Sequence, residues 1–137
     1  MRLLGIDVGE ARTGVAVSDR HAITCSPLPV IVERNRDEVL LRIVALAEEH
    51  GVGQIVVGLP RPLKGGTNRQ MEETLEFMSR LERLIPVPVL AGDERYTSKL
   101  AGRPGARGTG QDSVAACYML QSYLDSQAGH DVIEGDS

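Results

Sequence analysis

Three acidic residues in this chain stand where an apolar run ends or a helix begins, positions from which a carboxylate can do chemistry. Asp7 closes the run "LLGID", two residues before Gly9. Glu94, with Asp93 beside it, follows the short run "VPVLAG". Asp112 stands in the first turn of a helix expected to open at Gln111. If the two runs lie near each other in a parallel part of one sheet, their carboxyl ends reach the same edge. A helix crossing that edge then brings Asp112 within reach. Carboxylates gathered this way repel one another and raise one another's pKa unless cations sit between them. Oxygen-only ligation selects hard divalent ions, Mg²⁺ or Mn²⁺. Two such ions about 4 Å apart suit phosphodiester hydrolysis, one activating water and both steadying the charged phosphorus centre.

Each acid also has a plainer use. Asp7 can bond the amides of the turn that follows it. Glu94 can pair with Arg95 or Lys99 on the surface, and Asp112 can cap its own helix. Between Asp93 and Glu94 the strand reading alone does not choose.

The elements that would position these acids follow from periodicity. Residues 2–8 form a short apolar run suited to a buried strand, and "RTGVAVS" at Arg12–Ser18 follows a turn at Gly9 to form a hairpin. A third strand is expected over Leu28–Glu33. Val39, Leu40, Ile43, Leu46 and Ala47 recur at helical spacing within Arg36–His50, with Gly51 as the stop. A β-branched strand over Gln54–Gly58 leads into "LPRPLKGG", whose prolines and glycines break regular structure. A helix with Thr67 and Gln70 as a capping box should bury Met71, Leu75, Met78, Leu81 and Ile85, ending at Pro86. Val87–Gly92 is the next strand, and Gln111–Asp125 the last helix, burying Val114, Ala115, Tyr118, Gln121 or Leu120, and Leu124. Three strands, then helix, strand, helix, strand, helix describe an α/β mixed sheet with an antiparallel start and helices on its faces. Residues 1–125 read as one domain and 126–137 as an acidic, disordered tail.

The net charge of −4 hides an uneven distribution. Asp125, Asp131, Glu134 and Asp136 fall in a terminal stretch without Lys or Arg, which leaves residues 1–124 with 15 acids against 15 basic residues. Two stretches are basic without an acid: Arg61, Lys64 and Arg69, and then Arg95, Lys99, Arg103 and Arg107. They are solvated loops or phosphate contacts. No apolar run approaches a membrane span, and the start is no signal peptide. Cys25 and Cys117 lack metal spacing and are expected to be buried free thiols in a reducing, cytoplasmic setting. The three histidines show no ligand spacing.

Four ordered blocks carry a family resemblance: "LLGIDVGEARTGVAVSD" at Leu3–Asp19, "IVVGLP" at Ile55–Pro60, "DERYTS" at Asp93–Ser98 and "DSVAACYMLQSYLD" at Asp112–Asp125. Together they resemble the YqgF/RuvX family. The resemblance implies an RNase H-like fold, and members are described as pre-16S ribosomal RNA nucleases, earlier as Holliday-junction resolvases. It also implies that Asp7, Glu94 and Asp112 are the metal-binding acids, with Arg95 or Thr97 beside them. The family's longer Lys-rich segment before the last block is replaced here by Lys99–Gln111, with four glycines and one proline. The expected partners are RNA and, as a second candidate, structured DNA, bound by a monomer or homodimer. The competing functions are a DNA junction resolvase, which needs a dimer for paired cuts, a non-catalytic nucleic-acid-binding module, and a relative of actin-like ATPases. A single domain of this length counts against the last, because those proteins clamp ATP between two. The absence of an aromatic platform weakens binding by stacking alone.

Overall fold

The computed structural model describes residues 1–93 and 111–135. Strands β1 (Arg2–Asp7), β2 (Arg12–Ser18), β3 (Cys25–Val32), β4 (Val52–Leu59) and β5 (Val89–Asp93) form one sheet in the order β3-β2-β1-β4-β5. The β1–β2 and β2–β3 pairs are antiparallel, while β1–β4 and β4–β5 are parallel. β1 is therefore central, which explains why its sequence is a continuous apolar run rather than an alternating one: Leu3, Leu4, Gly5 and Ile6 are all buried. β3 lies at an edge, where Pro27 and Pro29 remove no ladder bond that a central strand would need.

Helices α1 (Arg36–His50) and α2 (Arg69–Leu84) cover one face. Leu4, Ile6, Val15, Ile55 and Val57 of the sheet pack there with Val39, Ile43, Phe77 and Leu81. The opposite face, carrying Leu3, Ala16 and Val56, is covered by α3 (Gln111–Gly135) through Ala116, Met119, Leu120 and Leu124. Each fully buried Leu or Ile contributes about 1.5–3 kcal/mol, so both layers are needed to hold a sheet this apolar. Among the described residues no helix is long and apolar enough to cross a membrane.

α1 and β2 have the expected bounds. Asn35 caps α1 by accepting from the amides of Asp37 and Glu38, and Gly51 ends it in the left-handed region at φ +60°. The α2 cap is Asn68, which accepts from the Met71 amide at 2.8 Å, rather than Thr67. Its buried stripe is Thr74, Phe77, Met78 and Leu81, while Leu75 is exposed. β3 begins earlier than expected, at Cys25, and β5 later, at Val89.

Two expectations about the last helix need correction. Val114 and Tyr118 are exposed, and the buried side carries Ser113, Ala115, Ala116, Met119, Leu120 and Leu124. Apolar residues surround this helix, so their period does not choose a face; the sheet chooses it. The helix is also longer than expected, running to Gly135 rather than ending at Asp125. Residues 126–135 include no proline to stop it. Cys25 and Cys117 are free but only half-buried, because both lie at the open end of the α3 layer, beside the sheet edge.

Candidate active site at the carboxyl edge of the sheet

Parallel strands end at the same edge, and crevices there are the usual ligand sites of such sheets. β1, β4 and β5 end together: Ile6 is level with Val57, Gly58 with Gly92, and Leu59 with Asp93. The pleat then assigns each acid to a face. Leu4 and Ile6 look toward α1 and α2, so Asp7 belongs to the α3 face with Leu3. On β5, Val89 packs in the α1/α2 layer, whereas a Cβ on Gly92 would meet Met119 of α3 at 2.7 Å. Asp93 is therefore on the α1/α2 face, opposite to Asp7.

Asp112 reaches the Asp7 side because α3 begins directly over β2. Gly14 is the cross-strand partner of Asp7, and a Cβ on Gly14 would stand 1.9 Å from the Asp112 carbonyl oxygen. Directly paired residues on antiparallel strands have Cα atoms only about 4.5–5.5 Å apart, so the helix start and the strand-end acid are neighbours. A side chain on Gly9 would likewise come within 2.2 Å of the Arg12 carbonyl, so the turn after Asp7 closes only with glycine there.

Two side chains fix this docking. The Ser113 hydroxyl, fully buried, accepts from the Val15 amide at 3.1 Å. The Arg12 guanidinium donates through Nε to Asp112 Oδ2 at 2.8 Å. The ion pair is the weaker anchor, since its side chains are 41% and 36% exposed and water screens it. Ser113→Ala strands a buried amide and should destabilise by roughly 1–3 kcal/mol. Arg12→Ala should lower stability by less than about 1 kcal/mol. Urea unfolding of the two variants checks the order; a larger loss for Arg12→Ala would make the ion pair the principal anchor.

On the other face, Arg36 Nη1 donates to the Gly9 carbonyl at 2.7 Å and sits 6.0 Å from the Phe77 ring centre. It braces the turn after Asp7 above a cavity of about 560 Å³ whose lining includes Glu10, Arg69 and Glu73. Lys64 is exposed on the loop that leaves β4 at this same edge. Glu94, Arg95, Lys99, Arg103 and Arg107 lie outside the described residues. Of the three proposed acids the structure thus brings the backbones of Asp7 and Asp112 to one place, with the Asp112 carboxylate held by Arg12. Among the described residues no group of three or more His, Cys, Asp or Glu is positioned to hold a metal. Arg12, Arg36 and Ser113 escape a reading by period. Their only sequence signals are an Arg at the start of a strand beside the acid and a Ser beside the helix-opening Asp.

The RuvX family profile, described as "Holliday junction resolvase", matches residues 1–126. A protein of Acetivibrio thermocellus named "Putative pre-16S rRNA nuclease" is 39% identical over 137 residues, covering 93% of this chain and 97% of its own. A protein of the same name from Desulforudis audaxviator is 36% identical, covering 93% and 96%. Among solved structures, Thermus thermophilus RuvC in complex with a Holliday junction superposes with a TM-score of 0.61 at 15% identity, over 94% of this chain and 96% of that one. The fowlpox virus Holliday junction resolvase gives 0.55 at 11% identity, over 92% and 99%. These likenesses at low identity show the fold, an RNase H-like resolvase sheet. With the family profile covering all but the end of the chain and relatives matching nearly full length, the chain belongs to the RuvX family.

Proposed function

We propose that the chain is a metal-dependent nuclease that hydrolyses phosphodiester bonds in RNA, acting in the cytoplasm at the 5′ end of pre-16S rRNA. The observation that carries this reading is the meeting of Asp7 and Asp112 on the α3 face of the sheet's carboxyl edge. A donor set of carboxylate oxygens suits Mg²⁺ or Mn²⁺, and Asp112 already holds a cationic group, Arg12, at hydrogen-bond distance. Asp7, Glu94 and Asp112 would hold the cations. When bound, such ions supply Lewis acidity at the phosphoryl oxygens and an acidified water. The protein's own part is to fix the carboxylates rigidly, with β1 buried on both faces and α3 pinned through Ser113. Lys64 and the stretch Arg95, Lys99, Arg103 and Arg107 would grip backbone phosphates.

Pleat alternation favours Glu94 over Asp93 as the third ligand, because Asp93 stands on the α1/α2 face. Glu94→Gln should raise the metal concentration needed for half-maximal cleavage at least tenfold, whereas Asp93→Asn should change it less than about threefold. A metal titration of both variants decides; the reverse order would move the ligand to Asp93.

Each phosphate contact steepens the dependence of log K on log salt by roughly 0.7–0.9. Arg103→Ala with Arg107→Ala should therefore flatten the slope by roughly 1.5 and weaken binding to all nucleic acids alike. Unchanged affinity and slope would make the stretch a solvated surface.

The test of the function itself is cleavage of a labelled pre-16S 5′ fragment, duplex DNA and a four-way junction, each with Mg²⁺, Mn²⁺ or EDTA. Cation-dependent cutting of the RNA fragment is the expected result. Cutting confined to the junction supports the second reading, a resolvase, which the description of the family profile favours. Such an enzyme requires a homodimer to cut two symmetric strands. Binding with no cutting under any condition would leave a nucleic-acid-binding module.

A further inference from the structure

Away from the carboxylate edge, α3 meets the edge strand through two sulfurs. Cys25 opens β3, and Cys117 lies about one and a half turns into α3. Their Sγ atoms are 2.7 Å apart, and Cys25 Sγ is also 3.0 Å from the Cys117 carbonyl oxygen. Both pack at the rim of the α3 layer, and both are half-buried. The pair is thus in contact, partly open to solvent, and held by two elements whose packing is otherwise fixed.

We propose that Cys25 and Cys117 are a peroxide-responsive dithiol whose oxidation to an intrachain disulfide staples α3 to β3. The two thiols have unequal parts. The hydrogen bond shared with Cys25 pulls the Cys117 thiol below its ordinary range, against the opposing effect of burial. The same bond, then burial, pushes the Cys25 thiol up, so Cys25 keeps its proton. Cys117, the more acidic partner, attacks one oxygen of the hydroperoxide as thiolate. The O–O bond breaks, the departing hydroxide is protonated to water, and the Cys117 sulfur becomes a sulfenic acid. The Cys25 sulfur then attacks it; the S–S bond forms, the S–O bond breaks, and hydroxyl leaves with the Cys25 proton as water. Two thiols and one hydrogen peroxide give one disulfide and two waters.

The staple would join positions 92 residues apart, a long loop whose closure restricts the unfolded chain strongly. It would also lie five residues from Asp112, about 7.5 Å along the helix. This inference does not rest on the proposed nuclease reading.

The experiment uses the full chain, exposed to hydrogen peroxide and then to an alkylating agent. Expected are the loss of two hydrogen masses, a tryptic peptide linking Cys25 to Cys117, and a Tm raised by at least about 5 °C and reversed by dithiothreitol. Cys25→Ser should abolish the link and leave a Cys117 sulfenic acid that dimedone traps. Cys117→Ser should likewise abolish the link, and Cys25→Ala and Cys117→Ala should abolish it without introducing a hydroxyl. Alkylation of both thiols after peroxide, or a link between two chains, would each overturn the proposal.

Discussion

Asp7→Asn should reduce phosphodiester cleavage by roughly a hundredfold to a thousandfold, the equivalent of several kcal/mol of lost charge stabilisation. Asn keeps the shape of the side chain at the end of the central strand but not its charge. The substitution removes nothing from either apolar layer, because the packing of β1 is carried by Leu3, Leu4 and Ile6. Far-UV circular dichroism and the urea midpoint should therefore stay close to the parent's. Binding of nucleic acid in EDTA should also persist, since the proposed phosphate contacts belong to the basic stretches and not to Asp7. The measurement is single-turnover cleavage beside metal-free binding. Wild-type cleavage by Asp7→Asn would sink the carboxylate-metal site altogether.

The second large effect comes from a residue with no side chain. Gly14→Ala puts a methyl group where the Asp112 carbonyl oxygen already stands, 1.9 Å from it. The obstacle is backbone, so no rotamer change relieves it, and the first turn of α3 must move. Overpacking of this kind destabilises by roughly 2–3 kcal/mol. A loss of that size lowers Tm by about 5–10 °C in a domain of this length. Cleavage should fall further than stability does, by roughly a hundredfold, because a displacement near 1 Å misplaces Asp112 relative to Asp7. Thermal unfolding and saturating single-turnover rates check both. A Gly14→Ala protein with parental Tm and rate would show that the helix start is not seated on β2.

How much of this was legible depends on the range of the interaction. α1 could be bounded to the residue because its signals are local: apolar residues at helical spacing from Val39 to Ala47, and Gly51 after them. β2 was equally plain, a polar-flanked apolar strand following a glycine turn. Asp7 could be singled out because an acid at the end of a buried run is itself a local anomaly, and Asp112 because it opens the helix expected to cross that edge. The buried face of α3 was not legible, since Val114 and Tyr118 are as apolar as the residues that pack. What selects Ser113, Ala116 and Leu120 is the shape of a sheet surface contributed by residues about a hundred positions earlier. Arg12 was hidden for the same reason: its partner Asp112 is 100 residues away. The choice between Asp93 and Glu94 lay between these cases. The parity of β5, which the neighbour of Gly92 reveals, places Asp93 on the α1/α2 face and so supports the proposal of Glu94.

The separation between Arg12 and Asp112 has a consequence for synthesis. The strands and α1 and α2 precede α3 in the chain, so the sheet and its larger apolar layer can form while α3 is still being made. At about 5–20 residues per second, the delay between Arg12 and Asp112 is roughly 5–20 s. The sheet is complete only once β5 ends at Asp93, so for roughly the last 1–4 s of that interval it holds Asp7 on a strand whose second carboxylate does not yet exist. The site is completed only when α3 emerges and seats Ser113 under Val15. A ribosome making this protein would therefore carry, for that short time, a folded sheet whose proposed site is still incomplete.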